Sequence, residues 1–256
     1  MSTPRENGSL YTKINNRVAT LEFGHPASNS FVSVLLDRLV VSLQELSKNE
    51  EISLIVLRSE GDQAFCAGAS FNELLSVSNL AEGKAFFGGF AKVFNAMRSC
   101  PQPIIGRVQG KAVGGGVGLI SACDYVFAVE EASVRLSELS IGIAPLVIAP
   151  VVERKIGKAA LAELAFAPTE WKDAYWAKEK GLFTKVFEKV KEMDKELDFY
   201  LQKMSSFNPH ALAEMKMALW EGCEQWDVLL MERAEQSGKL ALSPETKKSL
   251  IAFKNR

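Results

Sequence analysis

The sequence predicts an α/β fold followed by a C-terminal helical region. Helical patterns alternate with short β-branched runs in the first part of the chain, which is typical of α/β layer structures. From about Lys158 onward the strand signals almost cease and helical signals dominate. With 256 residues the chain is long enough to bury a large core.

The N-terminal segment predicts a β-hairpin and then one βαβ step. Apolar and polar residues alternate through residues 10–23, on both sides of Asn15-Asn16, as they do in hairpins. Residues 31–46 carry an apolar stripe at helical spacing, and the β-branched run at residues 52–58 indicates a buried strand. A helix therefore connects two strands here.

The middle of the chain repeats this order. Residues 86–97 are amphipathic at helical spacing, and residues 103–108 and 125–129 have strand composition. Between those two strands a turn carries five glycines from Gly110 to Gly118 and leads into an apolar run. Two helix starts are indicated by capping residues: Ser70 with Glu73 forms a capping box, and Ser243-Pro-Glu-Thr opens the last helix.

Composition excludes several classes of function. Lys and Arg number 30 against 31 Asp and Glu, so no global field points to a nucleic-acid or membrane partner. The apolar runs are too short to span a bilayer and MSTPRENGSL has no signal core, so we expect a cytoplasmic protein. Four cysteines without paired spacing predict buried free thiols. Only two histidines occur, which argues against a Ser-His-Asp triad or a multi-His metal site.

The glycine-rich turn is suited to holding an anion or a carbonyl oxygen. A glycine cluster between a strand and a helix exposes backbone N–H groups at the positive end of the helix dipole. It is not a P-loop, because three residues rather than four separate Gly106 from Gly110 and Ala112 replaces the magnesium-binding hydroxyl. It is not a dinucleotide fingerprint, because no third glycine follows Gly118. Close packing of a helix on a sheet would explain one or two of the five glycines.

Together these stretches resemble the crotonase family, the enoyl-CoA hydratase and isomerase superfamily. The resemblance is carried by F-C-A-G-A at residues 65–69, P-I-I-G-R-V-Q-G-K-A-V-G-G-G at 103–116, A-C-D at 122–124 and L-S-E-L-S-I-G-I at 136–143. I-G-K-A-A-L at 156–161 and A-x-x-K-G-L at 177–182 extend it. It implies a crotonase-like spiral of ββα repeats with a C-terminal helical region. The corresponding division is residues 1–190 as the acyl-CoA-binding core and 191–256 as the helical region, in a homotrimer or hexamer.

The resemblance also implies a site. The backbone N–H groups of Ala69 and Gly115 would hold the thioester oxygen of an acyl-CoA, and Cys66, Ala67, Gly68 and Ala69 would contact the ligand. Glu138 occupies the position of the second acid of the hydratases. Gly118 occupies the position of their first acid, which this chain therefore lacks. No metal and no cofactor beyond the coenzyme A of the substrate is expected.

One carboxylate suffices to move a proton between carbons, so the missing acid favours a double-bond isomerase that uses Glu138 as its acid and base. Alternatives are an enoyl-CoA hydratase, including one for a branched substrate such as methylglutaconyl-CoA, an acyl-CoA decarboxylase, or a non-catalytic acyl-CoA-binding subunit. The pocket walls are expected from the residue 86 helix and residues 145–152. The acyl group stays undetermined: its length, a methyl branch or a second carboxylate are all open.

Overall fold

The computed structural model describes residues 5–254, which form nine strands and ten α-helices. The strands are β1 (Ser9–Asn15), β2 (Val18–Gly24), β3 (Leu54–Ser59), β4 (Ile104–Val108), β5 (Ala112–Val113), β6 (Tyr125–Val129), β7 (Ser133–Arg135), β8 (Lys172–Asp173) and β9 (Lys185–Phe187). The helices are α1 (Ser33–Ser47), α2 (Phe71–Ser76), α3 (Leu80–Ser99), α4 (Gly115–Ala122), α5 (Ala149–Ala165), α6 (Ala174–Glu179), α7 (Val190–Met204), α8 (Pro209–Leu219), α9 (Trp226–Ala241) and α10 (Pro244–Lys254). A 3₁₀ turn spans Glu138–Ile141.

The predicted hairpin is confirmed, with its turn one residue later than the sequence indicated. β1 and β2 pair antiparallel, and Asn15 lies opposite Val18. The two turn residues, Asn16 and Arg17, have φ values of 46° and 66°. Two successive left-handed residues match the right-handed twist of the flanking strands, which is the geometry that two-residue hairpins prefer.

The main sheet has the order β1-β2-β3-β4-β6-β9, and β2 to β9 run parallel. α1 connects β2 to β3 as the predicted βαβ step, and α3 connects β3 to β4. Its central strands are buried, as parallel sheets covered by helices are. A second, three-stranded sheet has the order β5-β7-β8, and β5 lies within the glycine-rich turn, shortly before α4.

The later part of the chain is mainly helical but still adds strands to both sheets. β8 lies at the edge of the small sheet and β9 at the edge of the main sheet, so the strand signal after Lys158 is weak rather than absent. α9 packs closely along α3: a Cβ built on Gly83 would lie 2.8 Å from the Cα of Gly238. The C-terminal helices therefore pack directly on a helix that borders the core.

All four cysteines are free and buried, as predicted. In the described part of the chain no helix combines the length and the apolar composition needed to cross a membrane.

Candidate active site

The two small-residue turns lie side by side. Cys66 and Ala112 form a parallel bridge, in which the N–H of Val113 donates to the oxygen of Cys66 at 2.9 Å. A Cβ built on Gly68 would lie 3.6 Å from the nitrogen of Gly115. The backbone between Cys66 and Ala69 is therefore in register with the entry into α4.

Side chains at the start of α2 anchor the first turn, although not as the predicted capping box. The Ser70 hydroxyl accepts from the N–H of Glu73 at 3.3 Å. The Glu73 carboxylate turns away and instead accepts from the N–H of Ser33 at 2.9 Å and from its hydroxyl at 2.7 Å. Glu73 thus accepts the hydrogen bonds of Ser33 at the start of α1 and connects α1 to the turn. The N–H of Ser70 donates to the oxygen of Phe31 at 2.7 Å.

Two backbone donors are free at this junction. The bridge to Phe31 uses the oxygen of Gly68 and the N–H of Ser70, and it leaves the N–H of Ala69 between them without a partner in residues 5–254. Gly115 is the first residue of α4, so its N–H has no intrahelical acceptor. Both residues line one cavity. Two amide donors beside each other, one of them at the positive end of a helix dipole, can stabilise negative charge on an oxygen.

The residue before the second donor requires glycine. Gly114 has φ 52° and ψ −116°, a conformation that L side chains rarely adopt. A Cβ at this position would also lie 2.6 Å from Oε1 of Glu138. The Glu138 carboxylate consequently lies against the backbone that leads directly to the Gly115 amide.

Glu138 starts the 3₁₀ turn that follows β7, and Ile143 N–H closes the turn on its carbonyl oxygen at 3.0 Å. Its Oε2 is buried and has no hydrogen-bond partner among the described residues. Burial raises the pKa of Glu138 from 4.5 to about 7, against the opposing effects of a backbone hydrogen bond and the charge of Arg135. A carboxyl group with a pKa near neutrality is suited to taking up and returning a proton.

Gly118 is a packing residue. A Cβ at this position would lie 2.5 Å from Cζ of Phe94 and 3.0 Å from Cγ2 of Ile148. Phe94 is fully buried and belongs to the main core. The space that a side chain at Gly118 would need is therefore filled with carbon, and no described acid takes the place of the missing one beside Glu138 in the cavity.

The cavity has a volume of about 360 Å³. The predicted walls are confirmed: α3 contributes Phe86, Phe87 and Phe90, and the segment before α5 contributes Val147 and Ile148. The remaining apolar lining residues are Ala67, Ala69, Phe71, Leu74, Val113, Ile141, Ile143 and Phe253. Phe253 comes from α10 and lies 5.2 Å from the ring of Phe71, so the last helix closes one side. Sequence reasoning did not assign Phe253 to the site, because a lone aromatic on a terminal helix carries no sequence signal.

Three of the four predicted ligand contacts, Ala67, Gly68 and Ala69, line the cavity. Cys66 does not line it, because the residue is completely buried and both its backbone groups are engaged within the protein. Its thiol accepts from the N–H of Gly68 at 3.3 Å, and burial raises its pKa to about 12. Cys66 therefore stabilises the turn from the protein interior and does not face the cavity.

Both the sequence and the fold of the chain are similar to those of known proteins. The protein-family model for enoyl-CoA hydratase/isomerase matches residues 13–256. The chain is 30% identical to the putative enoyl-CoA hydratase/isomerase YngF of Bacillus subtilis over 219 residues, 84% of this chain and 82% of the relative. It is 30% identical to mitochondrial methylglutaconyl-CoA hydratase of Rattus norvegicus over 234 residues, 89% of this chain and 73% of the relative.

A further relative is named as an isomerase. The chain is 28% identical to the peroxisomal Delta(3,5)-Delta(2,4)-dienoyl-CoA isomerase of Arabidopsis thaliana over 190 residues, 70% of this chain and 68% of the relative. Among solved structures, enoyl-CoA hydratase from Bacillus halodurans superposes with a TM-score of 0.89 at 22% identity, over 95% of this chain and 99% of that one. The sequence relatives thus include both reaction types, and the superposition shows the fold.

Proposed function

The chain belongs to the enoyl-CoA hydratase/isomerase family and has the crotonase fold that its sequence predicted, and we propose that it is an enoyl-CoA isomerase with one acid–base residue. In this proposal Glu138 moves a proton between C2 and C4 of an enoyl-CoA thioester. The N–H groups of Ala69 and Gly115 hold the thioester oxygen while it carries negative charge.

The observation that carries the proposal is the packing at Gly118. A hydratase of this family uses two carboxylates, one to activate water and one to move a proton to carbon. At Gly118 the first would collide with Phe94 and Ile148, so the space for the carboxylate that would activate water is apolar and filled. Glu138 has no second acid beside it in the cavity lining, and this favours a reaction that needs only one.

The proposed reaction conserves its proton. The Glu138 carboxylate removes a proton from C2 of a 3-enoyl thioester, and the C–H electron pair moves into a dienolate whose charge lies largely on the thioester oxygen. The protonated Glu138 then delivers a proton to C4, and the double bond comes to lie between C2 and C3. Removing one amide donor from an oxyanion site of this kind typically costs about 3 kcal/mol of barrier.

Hydration is the second candidate, because several relatives are named hydratases. It requires a water held by Glu138 alone. A decarboxylase or a non-catalytic acyl-CoA-binding subunit would need no acid at position 138, and the buried, unpaired Glu138 carboxylate argues against both.

We extend the proposal to assembly as a homotrimer or hexamer. Phe166 at the end of α5 is 81% exposed and borders an apolar groove formed with Leu139, Pro145 and Leu146. An exposed aromatic beside an apolar groove favours contact with another subunit. Sedimentation-velocity measurements test this part directly, since a monomer at micromolar concentration would contradict it.

The proposed reaction is tested by proton NMR in deuterated water with a 2-enoyl-CoA and a 3-enoyl-CoA of equal length. We expect interconversion of the two enoyl forms, deuterium at C2 or C4 to the extent that Glu138 exchanges with solvent, and no 3-hydroxyacyl-CoA. The Glu138→Gln variant is expected to be inactive in both directions. Accumulation of 3-hydroxyacyl-CoA would refute isomerisation as the main reaction, and unchanged turnover by the variant would refute Glu138 as the acid.

A further inference from the structure

Arg135 carries a charge that no carboxylate pairs with directly in the part of the chain that the structure describes. Its Nε is buried without a hydrogen-bond acceptor, and its guanidinium takes part in no ion pair within residues 5–254. Arg135 is half-buried as a residue, but its Nε is enclosed by protein and lacks the hydrogen-bond contacts that water would give it. A bound anion at this position would supply them.

The position of Arg135 connects it to the reacting atoms. It lies on β7 in register with Val113 of β5, and both residues line the cavity together with Ser137 and Glu138. The charge of Arg135 acts on the titration of Glu138, which places the guanidinium within electrostatic reach of the proposed acid. Every other cavity-lining residue is apolar or small except Ser137 and Glu138. Arg135 is therefore the cavity's one cation among the residues described.

An aromatic ring supports the guanidinium. The Cζ of Arg135 lies 4.4 Å from the ring centroid of Trp171, and Nζ of the exposed Lys111 lies 5.0 Å from the same centroid. Stacking on an aromatic face holds the guanidinium plane and leaves its N–H edge available for a planar anion. Lys111 places a second positive charge on the same ring, although neither Lys111 nor Trp171 lines the cavity. Both features favour a carboxylate, which accepts two parallel hydrogen bonds from arginine.

We propose that Arg135 binds a second carboxylate carried by the acyl chain, so that the substrate class is an enoyl-CoA of a short dicarboxylic acid. This inference rests on the proposed function, because it assumes that C2 to C4 of the acyl chain lie beside Glu138. The phosphates of coenzyme A are the other anions in such a substrate. The pantetheine arm separates them from the thioester, whereas Arg135 is three residues from Glu138 in the chain and faces the same cavity.

Binding of unreactive, saturated ligands tests the inference without relying on turnover. Adipoyl-CoA and hexanoyl-CoA have the same chain length and differ in the terminal carboxylate. We expect titration calorimetry to show tighter binding of adipoyl-CoA. The Arg135→Met variant should weaken adipoyl-CoA binding by about tenfold to a hundredfold, the usual effect of a hydrogen bond to a charged group, and hexanoyl-CoA binding by less than about threefold. Arg135→Lys should lie between, since it keeps the charge and loses the fork.

The matched control is Arg154, which stacks on Trp220 at 3.6 Å outside the cavity. Arg154→Met should leave the preference for adipoyl-CoA unchanged. Equal binding of both ligands by the unaltered protein overturns the inference. So does an Arg135→Met variant that is weakened equally for both, because Arg135 would then only tune Glu138. Repeating the titrations with pantetheine thioesters, which lack the phosphates of coenzyme A, separates the two anion sources: loss of the Arg135 effect there would assign it to the phosphates and overturn the inference.

Turnover then separates this inference from the proposed function. The unaltered protein is offered 3-hexenedioyl-CoA and 3-hexenoyl-CoA, and we expect a higher kcat/KM for the former. Preferential binding of adipoyl-CoA through Arg135 with no isomerisation of either substrate would refute the function and leave the carboxylate site intact. Isomerisation of both substrates with equal kcat/KM, insensitive to Arg135→Met, would refute the carboxylate site alone.

Discussion

Replacing Glu138 with Gln is expected to stop turnover and, at alkaline pH, to stabilise the folded protein. The side chain keeps its shape but loses the ability to carry a proton. General acid–base catalysis is typically worth a factor of about 10² to 10⁴, so kcat should fall at least a hundredfold. The same change removes a carboxyl group whose ionisation costs the folded protein stability, since Oε2 is buried without a hydrogen-bond partner among the described residues.

The size of the stability effect follows from the pKa of Glu138, which burial raises from 4.5 to about 7. Between these values the folded protein binds the proton that the unfolded chain has released, so stability falls as pH rises through this window and the full loss is present above about 7. For a single group the loss is under about 1 kcal/mol at pH 5 and about 3 kcal/mol at pH 8. Glutamine has no such dependence. Its advantage over glutamate should therefore grow by about 2 to 3 kcal/mol from pH 5 to pH 8.

Urea unfolding of both proteins at the two pH values measures this difference, and any pH-independent cost of the amide cancels in it. Glu131, an exposed carboxylate in the turn after β6, provides the matched control. Its Gln variant should change stability equally at both pH values. A stability difference between Glu138→Gln and the unaltered protein that is the same at pH 5 and pH 8, within about 0.5 kcal/mol, would refute the claim that Glu138 is held in a desolvated, unpaired state.

Three further outcomes are expected. The kcat/KM for isomerisation should rise with pH through about 7 and then level off, because the reaction starts from the Glu138 carboxylate; a profile that is flat from pH 5 to pH 9 would contradict this. Gly118→Ala should lower the free energy of unfolding by about 1 to 3 kcal/mol, because the new methyl group clashes with Phe94. In the same urea assay, the loss caused by Gly118→Ala should be smaller when Phe94→Leu is also present. Additive effects of the two substitutions would show that the two side chains do not contact each other. Asp194→Asn should destabilise by about 1.5 to 3 kcal/mol, because Arg107 is 2% exposed and its Nε donates to Asp194 at 2.7 Å, while Asp194 itself is 39% exposed and partly screened by solvent; kcat should not change.

Much of the fold could be predicted because local pattern and final environment agree. The strands at residues 52–58 and 103–108 are β-branched and both are buried in a parallel sheet, so their composition and their context favour the same state. β8 and β9 were not predicted, because strands of two and three residues are too short to establish a period of two. Their pairing with β7 and β6 is a property of the tertiary structure.

In the site, too, local sequence patterns predicted some residues, and others depend on the tertiary structure. The two turns were found from the sequence because glycines and small residues mark close backbone approach, and the resemblance then suggested Glu138. The partner of the Glu73 side chain was mispredicted because the capping box is a local pattern, whereas Ser33 is 40 residues away and competes for the same carboxylate. Arg135 was missed because an arginine in a short strand has no distinctive spacing; only the cavity shows that it lacks an ion-pair partner among the described residues.

The glycine-rich turn combines two requirements that a sequence does not separate. Gly114 is needed for its backbone conformation and for the approach of Glu138, so it belongs to the chemistry. Gly118, four residues later, is needed because Phe94 occupies the adjoining space, so it belongs to the core. In the proposed reaction, the packing at Gly118 favours the chemistry that takes place beside Gly114. Phe94 fills the space that the missing acid would need, and Ile148, which also lines the cavity, adds to the apolar surroundings in which burial raises the pKa of Glu138 toward neutrality. A substitution that opened this packing would therefore be expected to weaken isomerisation before it permitted hydration.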